Sequence, residues 1–343
     1  MSFIEVKNAD IIGSDYCHFP NKSVEELKTI CNSIQEAVGF NHLGYIKTTA
    51  VSLKTVKNID FYFNEEKHKE SLDRKIQVAQ NNIKRDITFV STTCKRLNLF
   101  IKTMDSFLHF CRDIHIIDRW LCIDDNSSEE DRRVMKERYP FFEFILKTPE
   151  ERGHAKSLNI MLEQVKTRHI LLLEDDWLSS KSFYIEPYID FLKQDSYDQI
   201  LFKKFWENFH PQVKTINNTP VFEYKYSPYH PAKNTLEINY KNSYERYEKE
   251  FDVYTKYPDA SQIGFYYPGF SLNPGIFVLD KIRENNFTFK EDKSYNDSAE
   301  LYFSFQCLYK NMKIAFSHID IEHIGGGNSA YVLNDTKRSY DYL

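Results

Sequence analysis

The sequence predicts an α/β fold: a mainly parallel sheet flanked by helices, preceded by a small α+β region. Two observations carry this. After residue 85, short apolar runs alternate with stretches whose apolar residues recur every three or four positions, the mark of strand followed by helix. Residues 66–85 are polar and rich in Lys, Glu, Gln and Asn, so they read as a helical linker setting a region over 1–65 apart from a domain over 86–343.

In the first region Ser23-Val24-Glu25-Glu26 has the form of a capping box and should open a helix, while residues 39–45 read as an aromatic turn. Packing is the expected role of this region, ahead of glycan binding. In the main domain Ile87-Thr88-Phe89-Val90-Ser91 suits a buried strand and ends in Thr92-Thr93-Cys94-Lys95-Arg96. Leu97, Phe100, Ile101, Met104, Phe107, Leu108 and Cys111 then mark one apolar helix stripe, which is core. A second strand over 119–123 runs into Asp124-Asp125-Asn126-Ser127-Ser128 and a charged helix over 129–138. A third strand spans 142–146, and Arg152-Gly153-His154 leads into a helix carrying Ala155, Leu158, Met161, Leu162 and Val165. The fourth strand, 169–173, ends in Glu174-Asp175-Asp176. Residues 206–262, dense in Tyr, Asn, Lys and Pro, have weak periodicity and read as an irregular insertion. Regular structure resumes with a strand over 276–279, a helix over 299–310 and a strand over 313–316. Ligands in open α/β sheets bind beyond the carboxyl ends of the strands, so three polar clusters are expected on one edge.

The bulk composition narrows the function classes. With 343 residues the chain can hold one large domain and an appendage, and 41% hydrophobic with 28% charged residues is an ordinary globular balance. A net charge of −5 argues against a general nucleic-acid binder, which needs a basic excess, but a phosphate-bearing small ligand is compatible if a bound metal supplies positive charge. The six cysteines form no C-x-x-C pair and read as reduced thiols, with Cys17 and Cys31 close enough in sequence to pair in an oxidising setting. No signal-peptide or membrane-span pattern is visible, so a soluble, cytoplasmic chain without an integral membrane segment is expected.

The strongest chemical signal is Glu174-Asp175-Asp176. An apolar strand ending in three carboxylates suggests a cation that absorbs their repulsion, and oxygen ligands suit Mg²⁺ or Mn²⁺. The plain alternative is an acidic cap on the next helix. Asp124-Asp125-Asn126-Ser127-Ser128 lacks the central Gly of a calcium loop, and Ser127 or Ser128 is expected to cap the helix that follows.

In order, Thr-Thr-x-Lys-Arg, Asp-Asp-Asn-Ser-Ser, Arg-Gly-x-Ala-x-Ser-Leu-Asn and Leu-Leu-Leu-Glu-Asp-Asp resemble the nucleotide-binding half of family 2 and related GT-A (Rossmann-like) glycosyltransferases. The resemblance is good over residues 86–177 and loose over 273–328. It implies that Thr93 and Arg96 border the nucleotide, that Asp125, and less so Asp124, contacts the base or ribose, and that Gly153 and Asn159 fill the family's Gly and Asn positions. The family's Asp-x-Asp falls on Glu174, Asp175 and Asp176. Its first carboxylate is therefore a Glu here, while Asp176 keeps the metal-ligand assignment. Counting back from Lys310-Asn311-Met312-Lys313-Ile314 places the family's general base at Glu300, with Asp297 the runner-up; an acid complementing the helix dipole is the plain reading of either. His323, before Gly325-Gly326-Gly327, is the candidate second metal ligand. Without a Lys-Ser/Thr partner those glycines are not a P-loop. Lys156 and Arg152 could reach the diphosphate, His154 less so, and Lys337 and Arg338 could close over it; Trp177 would line the sugar pocket or fill core.

The resemblance thus implies Mn²⁺- or Mg²⁺-dependent transfer of a sugar from a nucleotide-diphosphate donor, with UDP expected, to a hydroxyl of a glycan, a lipid-linked acceptor or a protein. Inversion through a carboxylate base is expected, with the 206–262 insertion on the acceptor side; self-association stays open. Two other classes compete. A nucleotidyltransferase would carry a Gly-rich basic loop where Thr92-Thr93-Cys94-Lys95-Arg96 stands, and a non-catalytic sugar-binding protein would lose the carboxylates.

Overall fold

The apolar runs after residue 85 assemble into one nine-stranded sheet. The structure, a computed structural model, describes residues 2–80, 85–194, 197–202, 212–216, 219–223, 270–291, 299–310, 312–317, 319 and 321–325. The N-terminal region contains strands β1 (Phe3–Val6), β3 (Asp15–His18), β4 (Gly39–Asn41), β5 (Tyr45–Lys47) and β7 (Phe61–Asn64), ordered β1-β7-β4-β5-β3, with β2 (Ala9–Asp10) paired to β6 (Lys54–Thr55). Helix α1 (Val24–Ser33) begins at the expected capping box: Ser23 accepts from the Glu26 amide and Glu26 reaches back to the Ser23 amide. Its Leu27 and Cys31 pack with Phe40 and Ile46. Cys17 lies against the same cluster, and both thiols are free. Helix α2 (Glu65–Gln80) forms where the polar linker was read. It docks through buried Leu72 and Ala79.

The main sheet runs β10 (Glu143–Leu146), β9 (Arg119–Asp124), β8 (Ile87–Thr93), β11 (His169–Leu172), β16 (Gly275–Val278), β13 (Gln199–Leu201), β17 (Ile314–Ser317), β15 (Thr219–Glu223), β14 (Gln212–Ile216). The pairings make β16 and β15 antiparallel to the rest, so the sheet is mainly parallel as expected. Within 206–262 the described residues form the β14–β15 hairpin, which extends the sheet edge against β17. There the reading of an irregular insertion is corrected: ladder hydrogen bonds to an existing edge order a segment whose own periodicity is weak. The rest of that insertion lies outside the described residues.

Alternation along the central strands splits the core into two layers. Ile87, Phe89, Trp120, Cys122 and Leu171 face α3 (Leu97–Phe110), while Val90, Leu121, Ile123, Ile170 and Leu172 face α5 (His154–Gln164). Each such Phe or Leu contributes roughly 1.5–3 kcal/mol by leaving water. The charged α4 (Glu129–Arg138) is capped by Ser128, and α6 (Glu186–Gln194), α7 (Asp280–Glu284) and α8 (Ala299–Tyr309) complete the described helices. Parallel register sets Thr93 opposite Asp124 and Leu172 opposite Val90, so the three polar clusters end level on one edge. Just past them β12 (Trp177–Ser179) pairs with β18 (Ile321–His323) in a two-stranded ribbon, Trp177 opposite His323. Among the described residues no helix is long and apolar enough to cross a membrane.

Candidate active site

The acidic triplet emerges from β11 into a set of fixed partners. Asp175 is fully buried and accepts from the Thr93 hydroxyl at 2.7 Å. The Arg96 guanidinium forks across two carboxylates, pairing with Asp175 through Nη2 and Nε and with Asp176 Oδ2 through Nη1 at 2.8 Å. Arg96 stands at the α3 N-terminus, so β8 and α3 together aim it at β11. Burial pushes Asp175 up to about 6 against the pull of Arg96 and Thr93. Arg96 itself is held charged: burial opposes its charge, but the two aspartates outweigh that. Arg96 and Thr93 therefore organise the triplet.

Asp176 is the meeting point of the triplet and the ribbon. Its Oδ2 also takes His323 Nε2 at 3.2 Å, and its carbonyl accepts the Ile324 amide at 2.8 Å. Burial alone would raise its pKa; hydrogen bonds from His323 and Arg96 bring it below the ordinary carboxylate value, and the same bond to Asp176 raises His323. Gly325 follows for a steric reason: a Cβ there would lie 2.3 Å from Asp176 Oδ2. Trp177 is 7% exposed and its ring lies 4.8 Å from that of His323, so it is a core residue that steadies the imidazole. Among the described residues no group of three His, Cys, Asp or Glu side chains converges on a metal position; Asp176 and His323 form a pair.

The second cluster is more deeply built in than the sequence suggests. Asp124 is buried and bound by Arg132 Nε at 2.7 Å and by the Ser127 amide, so it is a structural anchor of the β9–α4 turn. Asp125 is 2% exposed, with Oδ1 at 2.8 Å from Lys147 Nζ and Oδ2 accepting the Gly153 amide at 2.9 Å. Lys147, 1% exposed, also donates to the Gly153 carbonyl and the Ser157 hydroxyl, each at 2.8 Å. Sequence reading missed Lys147. Its one signal is a Lys directly after the apolar end of β10, which is equally the mark of a strand end in solvent.

Gly153 has φ +139°, a conformation open to glycine, with free space where a Cβ would stand. Asn159 is engaged within the fold: its Nδ2 donates to the Phe289 carbonyl at 2.8 Å and to Glu291, and its Oδ1 accepts the Phe289 amide. Both ends of the side chain staple the loop after α7 to α5 and are used there. Lys156 is part-exposed on α5, and Arg152 is exposed. Asp297, Lys337, Arg338, Gly326 and Gly327 lie outside the described residues.

Glu300 sits in the first turn of α8, where its Oε1 accepts the Leu272 amide at 2.6 Å and the Ser271 hydroxyl at 3.0 Å. Burial, with Glu174 adding to it, pushes it up to about 7 despite those bonds. His154 Nε2 meets Glu174 Oε1 at 2.7 Å, and Thr92 Oγ1 reaches the same oxygen at 3.4 Å. Burial disfavours the His154 cation, but Glu174, Glu300 and Asp125 outweigh it and raise its pKa above the ordinary histidine value.

The fold, a mainly parallel sheet with a carboxylate cluster and a forked arginine at its carboxyl edge, is that of a GT-A glycosyltransferase. The chain belongs to glycosyl transferase family 2, whose profile matches residues 88–265, just over half of it. No curated protein sequence matches the chain. Among solved structures it is similar to S. aureus TarS 1–349, with 14% identity over 68% of this chain and 59% of that one and a TM-score of 0.42. The complex of the same protein with UDP-GlcNAc aligns at 15% identity over 71% and 61%, TM-score 0.42. The mannosyltransferase PcManGT from Pyrobaculum calidifontis, in complex with GDP-Man and Mn2+, aligns at 11% identity over 77% and 68%, TM-score 0.43. The chain spans less than two thirds of the length of the TarS structure.

Proposed function

We propose that this glycosyltransferase moves a sugar from a nucleotide-diphosphate donor, a UDP-sugar in the first instance, to an acceptor hydroxyl with inversion. The observation that carries the reading is the pairing of two unlike carboxylates at one edge. Asp176 is held ionised beside His323, and Glu300 titrates near neutrality, as a general base must. Asp176 and His323, 3.2 Å apart, would hold Mn²⁺ through one carboxylate oxygen and one imidazole nitrogen, the carboxylate being the kind of oxygen ligand such an ion takes. When bound, that ion would neutralise charge developing on the departing diphosphate.

The chain's own groups supply the rest. Asp125, fixed by Lys147 and the Gly153 amide, holds the turn before α5 in place at the strand ends where the nucleoside would bind. Glu300 takes the proton of the acceptor hydroxyl as that oxygen bonds to the anomeric carbon. The bond from that carbon to the diphosphate oxygen breaks, and the nucleoside diphosphate leaves with the electron pair.

The test is nucleoside-diphosphate release across a panel of UDP- and GDP-sugars with and without Mn²⁺. Release that requires the metal and disappears in Asp176→Ala, with the variant still folded by circular dichroism at the assay temperature, is expected. Wild type inactive across the whole panel would sink the reading.

A further inference from the structure

Helix α3 is buried on more than the face its apolar stripe predicts, since Leu99, Thr103, Asp105 and His109 are buried as well. The extra cover comes from α2 and from residues 50–55 of the N-terminal region. It does not fit closely, and a cavity of about 610 Å³ remains between these segments and α3. The β12–β18 ribbon closes another side. Opposite residues of that ladder share a face and successive ones alternate, so Leu178 and Glu322 turn to the cavity, while Trp177 and His323 take the reverse face, that of Asp176. The cavity is therefore distinct from the candidate active site.

Its size falls in the range of small-molecule sites, roughly 300–1,000 Å³, which favour the seams between domains. Leu53, Leu99, Ile101, Leu178 and Ile324 make its walls apolar. The polar groups around it fall into two sets. Some are already answered: Lys54 pairs with Glu322 at 2.5 Å, Asp105 accepts from Arg138 at 2.6 Å and from the Tyr139 hydroxyl at 2.8 Å, and the Ser52 hydroxyl donates to the Ser179 carbonyl. Thr55, His68 and Lys102 line the same cavity and have no hydrogen-bond or ion-pair partner among the described residues. Lys102 is exposed and so stands at the mouth. Both carboxylates of the lining are thus neutralised, and Lys102 is the cation left over. A cationic ligand would find no open carboxylate, and a wholly apolar one would cover donors without replacing their water. An apolar body that carries an anionic head satisfies the walls and the leftover donors together.

We propose that this cavity binds an amphipathic anion, a molecule with an apolar chain and one carboxylate or phosphate, whose head pairs with Lys102 and whose chain lies on Leu53, Leu99, Leu178 and Ile324. Binding there joins the N-terminal region to α3 and the ribbon, and needs neither the sugar donor nor a metal. The experiment is calorimetric titration of the full chain at pH 7 with decanoate and with decyl phosphate, which separate the two kinds of head. Decyltrimethylammonium supplies the opposite charge on the same chain. Saturable one-to-one binding of at least one of the two anions is expected, about tenfold or more tighter than decyltrimethylammonium. Each two methylenes removed from the chain should weaken it about tenfold, as burial of the chain requires. Lys102→Ala should weaken the anion about tenfold and Lys102→Arg should restore it, since a charge-assisted bond is lost and regained. Leu53→Trp, whose ring fills the cavity, should abolish binding.

No binding of either anion overturns the proposal, as does binding of decyltrimethylammonium with equal strength or binding that ignores chain length. An affinity in Lys102→Ala within about twofold of wild type, or binding retained by folded Leu53→Trp, overturns it too. If Leu53→Trp does not fold, the two Lys102 variants and the chain-length series decide.

Discussion

The two ends of the site are built on opposite terms. At the end proposed for the nucleoside, Asp124 and Asp125 are buried and their carboxylates are met by Arg132, Lys147 and backbone amides. At the reacting end, Glu300, His154 and His323 are partly open and all three are moved from their ordinary pKa values, Glu300 to about 7. Buried charges that find full partners fix a shape. A carboxyl raised by burial, or an imidazole raised by a neighbouring carboxylate, keeps a proton within reach near neutral pH. Substitutions at the first end should therefore cost stability, and substitutions at the second should cost turnover.

The largest expected effect is on turnover. Glu300→Gln should lower kcat by about 10²- to 10⁴-fold, the usual contribution of a general base, while donor binding measured by calorimetry stays unchanged. Stability should move the other way. A carboxyl raised from 4.5 to about 7 by burial favours the protonated fold, so its contribution is present below pH 4.5 and is lost as pH rises through 7. The Tm of Glu300→Gln should therefore gain on that of wild type between those values. In wild type, kcat should climb through an apparent pKa near 7, since the base must be ionised. A Tm difference that stays flat with pH would break the contrast between the two ends.

Next in size is the opposite case. Lys147→Met removes the cation from a pair that is 1% and 2% exposed and leaves Asp125 buried without its partner, a loss of about 3–5 kcal/mol. It should be seen as a lower urea midpoint, with the pH dependence of any remaining turnover unaltered. Asn159→Ala belongs to the same end. Its bonds to Phe289 and Glu291 hold a loop, and losing them should cost about 1–3 kcal/mol with KM for the donor within about twofold.

Much of this contrast was legible in the sequence, though not all of it. Period and polarity placed β8, α3, β9, α5 and β11, because each buries apolar side chains; α4, with Met135 its one buried residue, was placed by its charge and its Ser128 cap. The strand ends carrying Thr93, Asp124 and Glu174 followed from that order. What could not be read is which polar side chains satisfy one another. Lys147 is one lysine among many until the fold brings Asp125 and Gly153 to it, 22 and 6 residues away in sequence. Asn159 carries a family signature, yet its partners arrive from a loop 130 residues on. His154 looked weak for the same reason, since its partner Glu174 lies across the sheet edge. The β14–β15 hairpin was hidden because its strands are ordered by the β17 edge.

The smallest expected effect tests where the reacting end stops. The ribbon carrying Trp177 and His323 is tied to the N-terminal region on its other side: Ser52 donates to the Ser179 carbonyl at 2.7 Å, and Lys54 pairs with Glu322, the neighbour of His323. A cavity of about 610 Å³ lies under that seam, lined by Leu53, Leu99, Leu178 and Ile324 among others. The ion pair is solvent-accessible, so Lys54→Ala should change stability by no more than about 1 kcal/mol. If the ribbon is held by its ladder and by Trp177, the Mn²⁺ concentration for half-maximal UDP release should stay within about twofold of wild type. A larger rise would mean that the N-terminal region helps to place His323, and the reacting end would then extend beyond the main domain.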